Sequence, residues 1–267
     1  MNFASKSVFV LSVLMAATTA MAQAKAPEPD YTLAYNVGAV SDYRFRGIAQ
    51  TSKKPAIQGG VDFAAKSGVY LGAWASNVDW VKNFNGATKG SYELDLYGGY
   101  KGEIAPGLGF DVGAITYQYP GNNSGVANAG LGLSAGANVN ANTNEFYGAL
   151  THGIFTAKYS RSAGDFLGIK NSSGSSYIDL AANIDLSNGI TLTPHVGHQK
   201  VANHSTGTST ADYTDYALTI AKDMGNGLVI NATATGTNSK SGTNRFYMEG
   251  TRFIANNAFL VGAKYSF

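Results

Sequence analysis

The sequence is 267 residues long, has no cysteine, and carries 13% charged residues with a formal charge of +2. A soluble domain usually carries about 25% charged residues, and the absence of cysteine excludes a disulfide framework and thiolate chemistry. Charge so near balance lacks a basic footprint for nucleic acid, so no nucleic-acid partner is expected.

The chain opens like an export substrate. Lys6 supplies a positive start, Val8–Ala17 an apolar run, and Ala20-Met21-Ala22 a small-x-small cleavage site. Residues 1–22 are read as a signal peptide cut before Gln23, which leaves 267 − 22 = 245 residues. The competing reading is an uncleaved anchor, but crossing a bilayer takes about 20 apolar residues and this run is shorter. Residues 23–30, with Lys25-Ala26-Pro27-Glu28-Pro29, read as a flexible leader, and 31–267 as one domain. Glycine (33) and tyrosine (16) are abundant there. That composition suits a wall with one face in lipid and short polar groups on the other.

The first strand shows the longest alternation. Tyr31, Leu33, Tyr35, Val37, Ala39, Ser41, Tyr43 and Phe45 share one face, and Asp42, Arg44 and Arg46 fall on the other. A tilted barrel strand needs ~9–11 residues in lipid and can run beyond it. Gly47–Pro55 is expected as a polar loop, and Ala56–Lys66 returns with Ile57, Val61, Phe63 and Ala65 on one face.

These residues carry a family likeness. Ser41–Phe63, SDYRFRGIAQTSKKPAIQGGVDF, together with Glu93–Tyr100, ELDLYGGY, resembles the TorF-type porins of Gram-negative bacteria. The likeness extends from the first hairpin to Phe267, and it implies an outer-membrane location and a barrel fold.

Further strands are expected at Val69–Trp80, Ser91–Gly102 and Leu108–Tyr119. Glu93, Asp95, Tyr97 and Lys101 share one face of the second of these. In the third, the apolar parity changes after Ala114, from Phe110 and Val112 to Ile115 and Tyr117, as a bulge would cause. Thr143–Thr151, Ile154–Ser162, Ser175–Leu186, Ile190–Lys200, Asp212–Lys222 and Leu228–Asn238 follow. Asn257–Phe267 closes the chain, with Phe259, Val261, Ala263, Tyr265 and Phe267 alternating against Leu260, Gly262, Lys264 and Ser266. Tyr265 and the terminal Phe267 are similar to the signal that barrel assembly machinery reads.

The sum is one all-β, antiparallel transmembrane β-barrel of about twelve strands, with ten or fourteen as alternatives. Five short periplasmic turns alternate with six longer extracellular loops, the usual asymmetry of such barrels. Tyr31, Trp74, Trp80, Tyr92, Tyr100, Tyr117, Tyr119, Tyr159, Tyr177, Tyr265 and Phe267 gather near strand ends and read as interfacial girdles.

Two catalytic-looking patterns fall in the loop Pro120–Asn142. Gly132-Leu133-Ser134-Ala135-Gly136 matches G-x-S-x-G literally, but no buried strand leads into a helix there. Gly130-Leu131-Gly132 with Ala135 lacks the βαβ unit of a dinucleotide site. His195 and His198 lie three apart on one strand and point to opposite faces, so no shared metal and no cofactor is expected. His198, near the loop end, is the group a membrane-embedded lipid hydrolase would need, yet no serine or acid partner is legible.

Charge on a lipid face at midplane costs ~2–4 kcal/mol for Arg or Lys. The candidate pore-lining residues are therefore Asp42, Arg44, Arg46, Asp62, Glu93, Asp95, Asp111, Lys158, Asp179, Asp185, Asp215 and Lys264. Arg44 and Arg46, opposed by Asp42, are the first choice for a constriction or a ligand contact. The expectation is a non-enzymatic channel for small solutes or ions, in contact with outer-membrane lipid. The alternatives are a closed barrel that binds through its loops and a lipid hydrolase.

Overall fold

The computed structural model describes residues 29–127, 134–206, 209–240 and 246–267. The expected signal peptide and cleavage site lie outside these residues, as do Gly130–Leu133 of the two loop patterns; Ser134 lies on the loop surface.

Twelve antiparallel strands form one closed barrel. They are β1 (Tyr31–Val40), β2 (Ala56–Ala65), β3 (Val69–Asn77), β4 (Tyr92–Ala105), β5 (Leu108–Gln118) and β6 (Thr143–His152). The second half comprises β7 (Phe155–Ser162), β8 (Ser176–Ala182), β9 (Ile190–Lys200), β10 (Tyr213–Asp223), β11 (Leu228–Thr237) and β12 (Ala258–Ser266). Ile184–Asp185 continues β8 past Asn183 and still pairs with β9. Each strand pairs with its sequence neighbours, and β1 meets β12 from Asn36↔Ser266 to Val40↔Gly262. Tyr35 and Phe267 then exchange both backbone hydrogen bonds at 3.0 Å, which completes the seam.

Alternation explains the wall. Along β1, Leu33, Tyr35 and Val37 are exposed on the outside, and the polar face turns inward. Ile57 and Phe259 are 65% and 71% exposed, so the outer face is apolar. No helix among the described residues is long and apolar enough to span a membrane. Inside, tyrosine rings cover glycines across strands. Tyr97 lies over Gly72 and Tyr177 over Gly197, so closely that a Cβ at either glycine would collide with the ring.

The apolar core sits at the loop end, not in the barrel centre. Val78, Trp80, Val81, Tyr117 and Tyr119 form one buried cluster, with Phe45, Phe84 and Ile115 packed against it. Ile48, Ala49, Tyr213, Tyr247 and Ile254 form a second, and Phe166, Ile169 and Val201 a third. Phe45, Phe84 and Phe246 each touch two of these clusters and join them. Each large side chain buried here contributes about 1.5–3 kcal/mol, so the loops hold each other over the mouth.

This core accounts for three departures from the sequence reading. The first strand ends at Val40, and the alternation of Ser41–Arg46 continues in a segment that has left the wall. No bulge follows Ala114, because β5 keeps register with β6 from Leu108↔His152 to Tyr117↔Thr143. Ile115 and Tyr117 are apolar and inward because the loop core packs on them. Trp80, Tyr117, Tyr119 and Tyr177 are likewise buried rather than part of a girdle, whereas Tyr31, Tyr92, Tyr100, Tyr159, Tyr265 and Phe267 are exposed outside. Trp80 lies past the end of β3, in one helical turn, Trp80–Asn83.

Candidate functional site

The site is a hairpin folded into the bore. After β1, the Ser41 amide donates to Val261 O and the Ser41 hydroxyl accepts from the Val261 amide, and the chain then turns inward. Arg44↔Ala49 and Phe45↔Ile48 pair across a two-residue turn at Arg46-Gly47. Both turn residues have positive φ, 48° and 80°, as the tight hairpin turn that matches strand twist requires. Gly47 is needed twice over, since a Cβ there would stand 2.7 Å from Thr237 and 2.9 Å from Asp215. A non-glycine residue in this region costs about 1–2 kcal/mol, so Arg46 must be held by its side chain.

The hold is extensive. Arg46 Nη1 and Nη2 donate to Glu145 Oε1 and Oε2 at 3.1 and 2.6 Å, and Nη1 also donates to Gln199 Oε1 at 2.8 Å. The guanidinium carbon lies 4.2 Å from the Tyr177 ring centroid and 4.7 Å from that of Phe45. Glu145 also accepts from the Tyr117 hydroxyl at 3.2 Å. A fork-to-fork pair stacked on aromatic rings is a rigid use of arginine that lysine cannot reproduce.

Arg44 plays a different part. Its Nε and Nη2 each lie 2.7 Å from Asp42 Oδ2, and Nη1 donates to the carbonyls of Gly47, Ile254 and Asn256 at 3.0–3.1 Å. It ties the hairpin to the last loop and offers no free charge to the bore.

A cavity of about 550 Å³ adjoins the hairpin, walled among others by Glu145, Lys158, Asp179, His195 and Asp215. His195 bridges two strands, with Nε2 at 2.9 Å from Asp215 Oδ1 and Nδ1 at 3.2 Å from Asp179 Oδ2. The Tyr177 hydroxyl lies 3.0 Å from Asp215 Oδ2. Lys158 Nζ sits 3.9 Å from the Tyr147 ring centroid. Towards the turn end, Tyr70 donates to Asp111 at 2.5 Å and Tyr97 donates to Asp62.

Of the other sequence candidates, Glu93 and Asp95 are buried on β4, with the Tyr43 hydroxyl 3.4 Å from Glu93. Lys264 is half-buried on the inward parity of β12. Asp185 pairs with Thr191 on the inward parity at the turn end, exposed, where its carboxylate accepts from the Ser187 amide at 2.8 Å. Tyr265 and Phe267 are outside, their rings stacked at 5.8 Å, and Phe267 also stacks on Tyr35 at 5.9 Å. His198 is exposed on the outer face and meets Thr214 Oγ1 at 3.0 Å. Sequence reasoning missed Glu145, Gln199 and the bridging role of His195. The parity of β6, with Phe146 outward and Glu145 inward, carried the signal for the first.

With this geometry in hand, comparisons add a family and a fold. The family model described as "Bacterial protein of unknown function (Gcw_chp)" matches residues 23–267. No curated relative matches the sequence. Among solved structures, the KdgM porin in complex with disordered oligogalacturonate is 8% identical at TM-score 0.50, covering 88% of this chain and 98% of that one. The NanC porin is 10% identical at TM-score 0.53, covering 88% and 99%. Both likenesses are of fold.

Proposed function

The chain belongs to the Gcw_chp family, bacterial proteins described as of unknown function, and we propose that it is a porin-like channel. In this reading it resides in a Gram-negative outer membrane after signal-peptide cleavage near Ala22, inserted by the barrel assembly machinery. The turns face the periplasm and the loops face outward. It passes small solutes or ions by diffusion and catalyses no reaction. The resemblance to TorF-type porins supports the same reading.

The observation that carries it is a polar, charged bore inside an apolar exterior, narrowed by the hairpin that bears Arg46. Side chains fill barrels of about eight strands and leave a channel in those of 16–18. At twelve strands, a folded-in hairpin decides what passes.

Charge then sets preference. Arg44 and Arg46 are matched by Asp42 and Glu145. The remaining inward carboxylates, Asp62, Glu93, Asp95, Asp111, Asp179 and Asp215, the last two sharing His195, outnumber Lys101, Lys158, Lys264 and His195. The bore therefore favours cations and neutral polar solutes, and an acidic chain such as the oligogalacturonate named with KdgM is disfavoured.

Proteoliposome flux tests this. Vesicles holding the mature protein should leak potassium faster than chloride and swell in a small sugar. Flux equal to that of empty vesicles, with the barrel folded, would overturn the channel.

A further inference from the structure

Near its loop end the outer surface carries large apolar side chains on β2, β4 and β12, polar ones at Gln118 and Asn144, and two cations on β7 and β9. Ile57 on β2, Tyr92 on β4 and Phe259 on β12 stand exposed near the loop ends of their strands. On β7 to β9 the corresponding positions are Arg161 and Lys200, both exposed. Registration sets them in one row, because Ser176 pairs with Arg161 on one side and with Lys200 on the other. Phe146 extends the row by pairing with Arg161. Strands lie ≈ 4.8 Å apart, so the two cations stem from backbone about 10 Å apart with only the small Ser176 between them. Two long basic side chains can close on one phosphate across that gap.

Depth supports the ligand class. One step towards the turn end, the outward row is Tyr159, Ile178, His198 and Thr214, the last two hydrogen-bonded at 3.0 Å. One step further it is Ala157, Leu180, Val196 and Tyr216. The sequence of rows runs from cationic, through aromatic and polar, to apolar. That is the polarity profile of a membrane from headgroup to hydrocarbon. Among the described residues neither Arg161 nor Lys200 forms an ion pair with the protein. The Arg161 guanidinium packs on Gly174 in the loop after β7, where a Cβ would stand 3.1 Å from Nη2, so that loop holds it at the rim.

We propose that Arg161 and Lys200, across Ser176, bind the phosphate of an outer-leaflet lipid headgroup, whose chains lie on Ile178, Leu180 and Val196. The site rests on the membrane placement given above, but not on conductance. Phosphate attracts both cations, and the apolar rows below supply the seat that a free anion would not use.

The test is native mass spectrometry of the detergent-solubilised full barrel with added lipid A, in phosphorylated and dephosphorylated forms. The wild type should retain the phosphorylated lipid about tenfold better than the other form, and R161Q/K200Q should abolish that difference. R161K/K200R should keep most of it, which separates charge from folding. Retention that ignores phosphate, or is unchanged in R161Q/K200Q, would overturn the proposal. Inorganic phosphate that competes as well as the lipid would also overturn it, by showing an anion site without lipid. A folded barrel that is silent in conductance but retains lipid by phosphate would end the channel reading and leave this one standing.

Discussion

Arg46 and Glu145 are 99 positions apart in sequence and share two hydrogen bonds, 3.1 and 2.6 Å long, inside the bore. One sits at the tip of a hairpin and the other on the wall, with side chains 8% and 1% exposed. Their contact fixes how far the hairpin intrudes. Removing one member leaves the other buried and unpaired, at a cost of about 3–5 kcal/mol. Glu145→Gln should therefore loosen the hairpin, raise single-channel conductance and lower the temperature at which the barrel loses its compact gel mobility. Arg46→Met with Glu145→Leu should recover most of the stability. Unchanged conductance in Glu145→Gln would mean that the pair does not set the bore.

Ion preference should follow the unmatched charges. Asp111→Asn with Asp62→Asn should move the reversal potential towards zero in a salt gradient, and Lys158→Glu should move it further towards cation preference. Arg46→Gln should act like Lys158→Glu, because it uncovers Glu145. An anion-directed shift in Arg46→Gln would contradict the pairing.

Arg44→Ala removes the partner of Asp42 and of three carbonyls, two of them in the last loop. The buried Asp42 makes this comparable to the first case, about 3–5 kcal/mol. Hydrogen exchange at the Ala49 amide, which donates to Ile254 O at 3.0 Å, should quicken while exchange in β6 and β7 stays slow.

The wall was legible because an apolar outside and a polar inside impose a period of two on every strand. Strand count, short turns and long loops followed from that alone. The hairpin was not legible. Tyr43 and Phe45 alternate with Asp42, Arg44 and Arg46 just as a strand would, but here the aromatic residues feed a loop core and the arginines find carboxylate partners. Ile115 and Tyr117 misled for the same reason, since an inward loop reverses which face is apolar. Partners distant in sequence, such as Arg46 with Gln199, leave no local signal.

Deleting Phe267 should remove two backbone hydrogen bonds to Tyr35 and the ring stack at the seam. At about 0.5–1.5 kcal/mol per hydrogen bond, the folded barrel survives, but insertion by the assembly machinery should slow. Pulse-chase conversion to the protease-resistant barrel measures this, and an unchanged rate would remove Phe267 from assembly.

The most direct measurement is single-channel recording of the mature protein in planar bilayers under a potassium chloride gradient. Stable unitary steps with a cation-directed reversal potential are expected, larger in Glu145→Gln. A folded barrel that inserts and stays silent, or conducts with anion preference, would contradict a channel governed by the acidic bore and the Arg46 hairpin.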